Sequence, residues 1–424
     1  MMALILFISF LILISLSVPI AFSLGISSLI YILIAEIPLN IIPQKMFGGI
    51  NSFTLLCIPG FILAGNLMNA GGITERIIQF TNNLVGHIRG GLGLANVGSS
   101  MGFAGISGTA LADTASIGSV MIPAMKKEGY DSSFSVAVTS SSSTIGPIIP
   151  PSLPMIILGT LATVSIGDLF LAGTIPGILL GISLMILTYI ISKKKNYPKG
   201  ERQPLSVIAK SFSGAFWALM MTFVILFGIL SGYFTPTEAS IVAVVYALIV
   251  GLFVYRDLKI KMIPKIFLDS MVTTAGIMIL VGFANLFGWI LVSEQIPQLV
   301  ADTILAISEN PIVVILLLNL LLLFVGTFME TIAALVILFP VLLPVATQIG
   351  MDPVHFGVLM VLNLMIGLST PPVGVCLFVA SSIGKVSIGK ASKALLPFLG
   401  VSLLVLLLVS FVPQLTLFLP GLFD

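Results

Sequence analysis

Apolar runs of about twenty residues recur along this 424-residue chain, the length a helix needs to cross a bilayer core of about 30 Å. By that ruler the sequence predicts nine crossings, at about 3–35 (long, bent at Pro19), 53–70, 132–160, 166–192, 211–232, 236–255, 267–292, 353–382 and 392–418. Two further apolar stretches, 91–126 and 311–346, are interrupted near their middles. Gly105, Ser107, Gly108 and Thr109 break the first; Gly326, Thr327, Glu330 and Thr331 break the second. Each is too short to cross twice, so each is expected to be a re-entrant hairpin, entering and leaving on one face. Only 8% of residues are charged, where a soluble domain carries about 25%. The chain therefore has the bilayer as a partner, while a net charge of +2 without a long basic run excludes nucleic acid. Cys57 and Cys376 lack metal-site spacing and read as small buried hydrophobes. No Lys or Arg precedes the first apolar run, which favours a retained membrane helix over a cleaved signal.

Charge placement tests this topology. The basic clusters are Arg76/Arg89, Lys126/Lys127, Lys193 to Lys210, Arg256 to Lys265, and Lys385/Lys390/Lys393. Nine crossings and two non-crossing hairpins put all five on one side, which the positive-inside rule makes cytoplasmic. Lys45 is the basic residue left on the other side. The first hairpin then opens from the cytoplasm and the second from the opposite face. Trp217 and Trp289 are placed as interface anchors.

The hairpins belong to two related halves. Pro123 and Pro344 lie 221 positions apart, as do Gly129 and Gly350, Asp131 and Asp352, Gly146 and Gly367, Pro150 and Pro371, and Pro151 and Pro372. Val164-Ser165-Ile166-Gly167 recurs at Val386-Ser387-Ile388-Gly389. Each half reads as crossing helix, short amphipathic arm (73–89 and 296–309), hairpin, Pro-interrupted helix and crossing helix. Opposite entry makes the repeat inverted, an arrangement characteristic of secondary transporters, which bind substrate where the halves meet. The expected fold is all-α and polytopic, with N-terminal scaffold helices (1–72), a first arm (73–90) and a first transport half (91–165). Further scaffold helices (166–295), a second arm (296–310), a second transport half (311–391) and a C-terminal scaffold helix (392–424) complete it.

Irregular backbone inside a membrane survives only where protein or a wet cavity satisfies it. Four such breaks are expected: Ala104 to Ala110, Ser140 to Pro151, Gly326 to Thr331, and Gly367 to Gly374. Their carbonyl and hydroxyl oxygens are hard ligands for a small hard cation, and exposed helix N-termini suit an anionic group. One tip with its neighbouring break makes a candidate Na⁺ site, and the repeat supplies two. A carboxylate substrate fits between the tips. Packing of small residues is the plainer explanation of any one break, and four repeat-related breaks weigh against it. Asp113 and Glu330 are the acids most embedded in apolar sequence, where an ionisable group is costly and usually functional. Their alternative role is to satisfy exposed helix N-termini. His87 and His355 read as interfacial. An arm lying flat in the interface can carry a moving hairpin domain against a static one.

Several motifs carry a family likeness. They are Ser107-Gly108, Met121-Ile122-Pro123, Lys126-Lys127, Gly129-Tyr130, and Ser143-Thr144-Ile145-Gly146-Pro147-Ile148-Ile149-Pro150-Pro151-Ser152. After these come Ser165 to Gly173, Phe287-Gly288-Trp289, Glu294-Gln295-Ile296-Pro297 and Thr370-Pro371-Pro372-Val373-Gly374. In these the chain resembles the large membrane subunit of TRAP (tripartite ATP-independent periplasmic) transporters over nearly its whole length, and looks most like sialic-acid members. The resemblance implies a multi-pass bacterial inner-membrane carrier of the ion-transporter superfamily, of elevator type, driven by two or more Na⁺ ions. It implies no enzyme activity and no organic cofactor. It implies two protein partners, a separate small four-helix membrane subunit and a periplasmic binding protein that delivers a small carboxylate, sialic acid or otherwise a C4-dicarboxylate. Carried over by motif, the Na⁺ ligands fall on Ser107, Gly108, Thr109, Ser141, Ser142, Ser143, Thr144, Gly146, Gly326, Thr327, Thr331, Ser369, Thr370 and Gly374. Substrate contacts fall on Ser107, Thr109, Asp113, Ser143 and Glu330. Thr109 stands where relatives place Ser and keeps the hydroxyl, and Glu330 stands where some carry Asp.

The nearest rival reading is a stand-alone Na⁺/carboxylate symporter that needs no partner. Gly105-Ile106-Ser107-Gly108 also matches the Gly-x-Ser-Gly of intramembrane serine proteases. That chemistry needs a base within reach of the Ser, only His87 or His355 is available, and the repeat would go unexplained. An ATP-driven pump is disfavoured by the lack of a Walker A motif. Paired hairpins of opposite entry argue for alternating access over a channel.

Overall fold

A computed structural model describes the backbone of residues 2–423 and their side chains except those of Met2, Ala3 and Ser107. Among the described residues there is no β-strand. Helices α1 (Met2–Ser15), α2 (Ile20–Ile34), α3 (Ile41–Ile50) and α4 (Cys57–Ala70) open the chain. A short helix, α5 (Ile73–Val85), leads into a helix–turn–helix of α6 (Gly91–Ser107) and α7 (Ala110–Lys127). α8 (Ser132–Ser142) and α9 (Leu153–Ala162) are halves of one interrupted helix, and α10 (Ile166–Lys194) follows. α11 (Leu205–Leu230), α12 (Pro236–Ile249) and α13 (Ile263–Ser293) come next. The order then recurs: α14 (Ile296–Ile307), the pair α15 (Pro311–Gly326) and α16 (Thr331–Gln348), the interrupted α17 (Pro353–Ser369) and α18 (Val375–Gly384), and α19 (Ile388–Phe411).

Each stretch expected to be a hairpin forms two helices joined by a short turn, although α16 is itself long and apolar enough to cross a bilayer, and each expected broken helix forms two helices. Their ends are set by local chemistry. Thr109 caps α7 by accepting from the Ala112 N–H, and Ser152 caps α9 by accepting from Met155. Thr235 and Glu238 form a capping box on α12, with Pro236 at its first position. Positions 221 apart fall on like elements: Asp131 and Asp352 stand at the N-caps of α8 and α17, and the cis peptides are Pro150–Pro151 and Pro371–Pro372.

Two expectations fail at the N-terminus. The stretch 3–35 is a pair of packed helices, not one bent crossing. The chain reverses at Ser17, whose φ is 61°, and the Val18 N–H closes the turn onto the Leu13 carbonyl. Phe10 and Phe22 reach rings one turn apart on α13, Phe287 at 5.5 Å and Phe283 at 6.2 Å. In a continuous helix they would stand about 18 Å apart along the axis. In addition α3, unforeseen, precedes the 53–70 crossing at an angle of 66°. Six helices are long and apolar enough to span a bilayer among the described residues, or up to seven with that bent pair.

Packing sorts the helices into two bodies. One holds α1–α4 and α11–α13, with α4 against α12 and α13. The other holds α6–α10 and α15–α19. Within the second, α7 packs on α18 while α16 packs on α9, so each hairpin lies against the second half-helix of the other repeat. Helices α10 and α19, placed among scaffold elements by the sequence reading, pack on α6, α8 and α17, while α10 meets α11 where Gly167 faces Ile229 and Leu230. The packing boundary therefore differs from the one expected at 165/166 and 391/392. The amphipathic α5 lies between the bodies, on α6 and α11, and α14 packs on α16 and α13.

The five basic clusters gather at one end. Arg76 pairs with Asp257 at 2.6 Å, Arg89 reaches Asn196 at 2.8 Å, Lys195 pairs with Asp131 at 2.5 Å, and Lys126 donates to the Gly384 carbonyl at 2.9 Å. Lys45 lies 5.2 Å from the Trp289 ring, more than twenty residues of α13 away from Lys265 and so over 30 Å distant.

Candidate functional site

The first tip is built on close backbone approach. Gly108 (φ 61°) is the turn residue, a left-handed conformation that favours glycine. A Cβ added there would lie 3.7 Å from the Pro151 carbonyl oxygen and 3.4 Å from Leu153, so the tip rests on the break between α8 and α9. A Cβ at Gly65 would stand 2.7 Å from the Ile106 carbonyl, which sets the tip against α4.

Behind this tip lies a buried polar cluster. Asn96 of α6 donates to Thr139 of α8 at 2.7 Å, and Ser100 donates to Ser142 at 3.0 Å. Ser143 and Thr144 donate at 2.7 Å to the carbonyls of Thr139 and Ser141. A hydroxyl that spends its proton on a helix carbonyl presents only lone pairs outward, which suits a cation and not an anion. Asp113 is fully buried one turn into α7. Ser100 stands beside it, yet neither carboxylate oxygen has a well-formed hydrogen bond among the described residues. The hydroxyls of Ser140, Ser141 and Ser381 are likewise buried without partners there. A carboxylate buried without a counter-ion is costly, so Asp113 is held here either as the neutral acid or beside a cation. No cluster of three His, Cys, Asp or Glu occurs among the described residues.

The second tip differs in detail. Glu330 is the N-cap of α16 and accepts from the Ile332 and Ala333 N–H groups at 2.9 and 3.2 Å. It stands 221 positions after Thr109, so an acid and a hydroxyl do the same capping work in the two halves. Gly326 and Gly367 meet backbone to backbone; a Cβ on Gly367 would stand 2.6 Å from Gly326. Thr327, Ser369 and Thr370 all donate to helix carbonyls, while the Thr331 hydroxyl is buried without a partner among the described residues. Gly374 (φ 49°) completes the break, with the Thr370 carbonyl 2.9 Å from where its Cβ would be.

Between the bodies runs a cleft. Its inner chamber, about 360 Å³, reaches Thr109 and is lined on the α4 and α13 side by Asn66, Asn69 and Thr273. An outer vestibule of about 310 Å³ continues past Ser116 to Thr74 and Glu75.

The model of the "Tripartite ATP-independent periplasmic transporter, DctM component" matches residues 7–415. The chain belongs to the DctM family. Relatives extend along nearly its full length. The "Sialic acid TRAP transporter large permease protein SiaM" of Vibrio cholerae serotype O1 is 46% identical over 96% of this chain and 95% of its own. The "C4-dicarboxylate TRAP transporter large permease protein DctM" of Pseudomonas aeruginosa is 41% identical over 94% of each. Among solved structures, the Alcanivorax borkumensis YdaH transporter aligns with TM-score 0.65 at 13% identity over 89% of each chain, a likeness of fold. This DctM chain is thus a transporter permease and not an enzyme. The protease reading falls with that: His87 lies beyond the far end of α5, and His355, at the start of α17, is bonded through Nδ1 to Thr416 at 2.7 Å.

Of the residues expected at the sites, the DctM fold gathers Gly108, Thr109, Asp113 and Ser141 to Gly146 around the first tip. It gathers Gly326, Thr327, Glu330, Thr331, Ser369, Thr370 and Gly374 around the second. The Ser107 side chain lies outside the described residues. Sequence reasoning missed Asn96, Ser381 and the cleft residues Asn66, Asn69, Ser116 and Thr273. Their signal was faint: isolated neutral polar residues in apolar helices.

Proposed function

We propose that this chain is the large permease of a Na⁺-coupled sialic-acid importer in a bacterial inner membrane, working with a small membrane subunit and a periplasmic binding protein. The observation that carries Na⁺ coupling is Asp113, buried with no counter-ion among the described residues beside a cluster of buried hydroxyls, two of which, Ser143 and Thr144, spend their protons on helix carbonyls. The 46% identity to one sialic acid permease supports the substrate, as does a chamber whose polar lining, Asn66, Asn69, Thr109, Ser116 and Thr273, is neutral amides and hydroxyls. In this reading ions bind at the two tips and breaks, the carboxylate lies by Thr109, and the two inverted halves move as one body against α4 and α13. Two bodies that meet along a cleft support an elevator mechanism, in which one slides against the other.

Uptake of labelled N-acetylneuraminate into proteoliposomes tests the reading. Transport is expected only with an inward Na⁺ gradient, the small subunit and the loaded binding protein together. Uptake by the lone chain would establish the stand-alone symporter instead, and equal uptake with K⁺ would remove the ion coupling. Asp113→Asn is expected to abolish Na⁺-dependent uptake while leaving the protein inserted.

A further inference from the structure

The chamber and vestibule of the cleft share three residues, Asn69 of α4 and Ala115 and Ser116 of α7, of which Asn69 and Ser116 are polar. Asn69 Nδ2 donates to Ser116 Oγ at 3.2 Å, across the gap between the bodies. Oδ1 of the same amide accepts from Thr74 Oγ1 at 2.8 Å, in the first turn of α5. One amide therefore ties together a helix of the α1–α4/α11–α13 body, the hairpin and the arm between them. We propose that the Asn69–Ser116 hydrogen bond is an inner gate on the permeation path, separating the chamber at Thr109 from the vestibule at the basic end, with the arm setting the amide through Thr74. This deepens the transporter reading and rests on it.

The chemistry suits a gate. A single hydrogen bond between neutral groups makes a small net contribution, so thermal motion parts it and its two halves re-pair with a passing solute. A solute rich in hydroxyls and carrying a carboxylate offers the donors and acceptors that replace it. Two neighbouring polar residues are bonded on their own side of the gap: Asn66 to Ser270 on α13, within its own body, and Ser119 to the Ser116 carbonyl on its own helix. Gate and arm are also mechanically linked. If α5 tilts when the hairpin body moves, Thr74 takes the Asn69 carbonyl with it and the pair to Ser116 opens.

The test uses the full chain, assembled with its partner subunits, and reads access instead of transport. Ala112→Cys places a thiol on the chamber wall, while the native Cys57 and Cys376 are fully buried. A membrane-impermeant maleimide is applied from the cytoplasmic face. Labelling is expected to be slow in Ala112→Cys alone and to rise about five- to tenfold when Asn69→Ala or Ser116→Ala is added, the population shift for losing one neutral hydrogen bond. Asn66→Ala should leave the rate unchanged. A rate unaffected by both Asn69→Ala and Ser116→Ala, or raised equally by Asn66→Ala, would overturn the gate. Because labelling needs no transport, a chain that fails to carry sialic acid still returns an answer about the gate.

Discussion

Glu330 shows how one residue can read as a ligand in sequence and act as a cap in the fold. An acid amid apolar residues is a functional signal, but its carboxylate here accepts two backbone N–H groups at the start of α16. Glu330→Ala should therefore lower the stability of the purified chain by about 1 kcal/mol, whereas Glu330→Gln, which keeps an acceptor oxygen, should cost less. Thermal unfolding of the two variants would expose an error if Gln proved the more damaging. Asp131 at the basic end makes a pH prediction. Lys195 first, and then Tyr197, hold its carboxyl below the usual carboxylate range. A lowered folded value adds stability that is present above the unfolded value, near pH 4, and is lost as pH falls through the folded one. Half-exposed partners keep the contribution small. Asp131→Asn should unfold at a lower temperature than the parent near pH 7, with the two converging in acid; a constant difference at every pH would contradict it.

At the scale of elements, the hairpins and broken helices were legible because glycine, hydroxyl and paired-proline interruptions are rare inside apolar runs. The N-terminal pair was not, because Pro19 reads as a bend and the reversal depends on Ser17 adopting a positive φ, which its residue type does not announce. α3 was hidden by Pro43, Gln44 and Lys45, which break its apolar run. The close contact between α15 and α17 gives a sharper test. Gly367→Ala would put a Cβ 2.6 Å from the Gly326 backbone, while Gly326→Ala meets its nearest neighbour at 3.1 Å. Overpacking of this kind costs about 1–3 kcal/mol, so Gly367→Ala should lower the unfolding temperature more than Gly326→Ala does. The reverse order would mean that the two helices are not held at this distance.

For the whole molecule, the family and the helical order were readable from motifs, but body membership was not. A helix that faces lipid and one that packs on another helix are both apolar, so nothing in α10 or α19 announced that they pack with the hairpins. The cleft was equally hidden, since Asn66 and Asn69 become neighbours of Thr109 and Ser116 only once the bodies meet. If the hairpin body rides past α4 and α13 during transport, α10 and α19 ride with it. Distances between spin labels test this most directly, with Lys127→Cys and Lys259→Cys marking one residue in each body, and Lys127→Cys and Lys390→Cys marking two in the hairpin body. With partner subunits present, adding Na⁺ and N-acetylneuraminate should give the first pair a second, distinct distance population while the second pair keeps one. A single unchanged distance for the first pair in every condition, or equal changes in both pairs, would contradict a carrier that moves one body against the other.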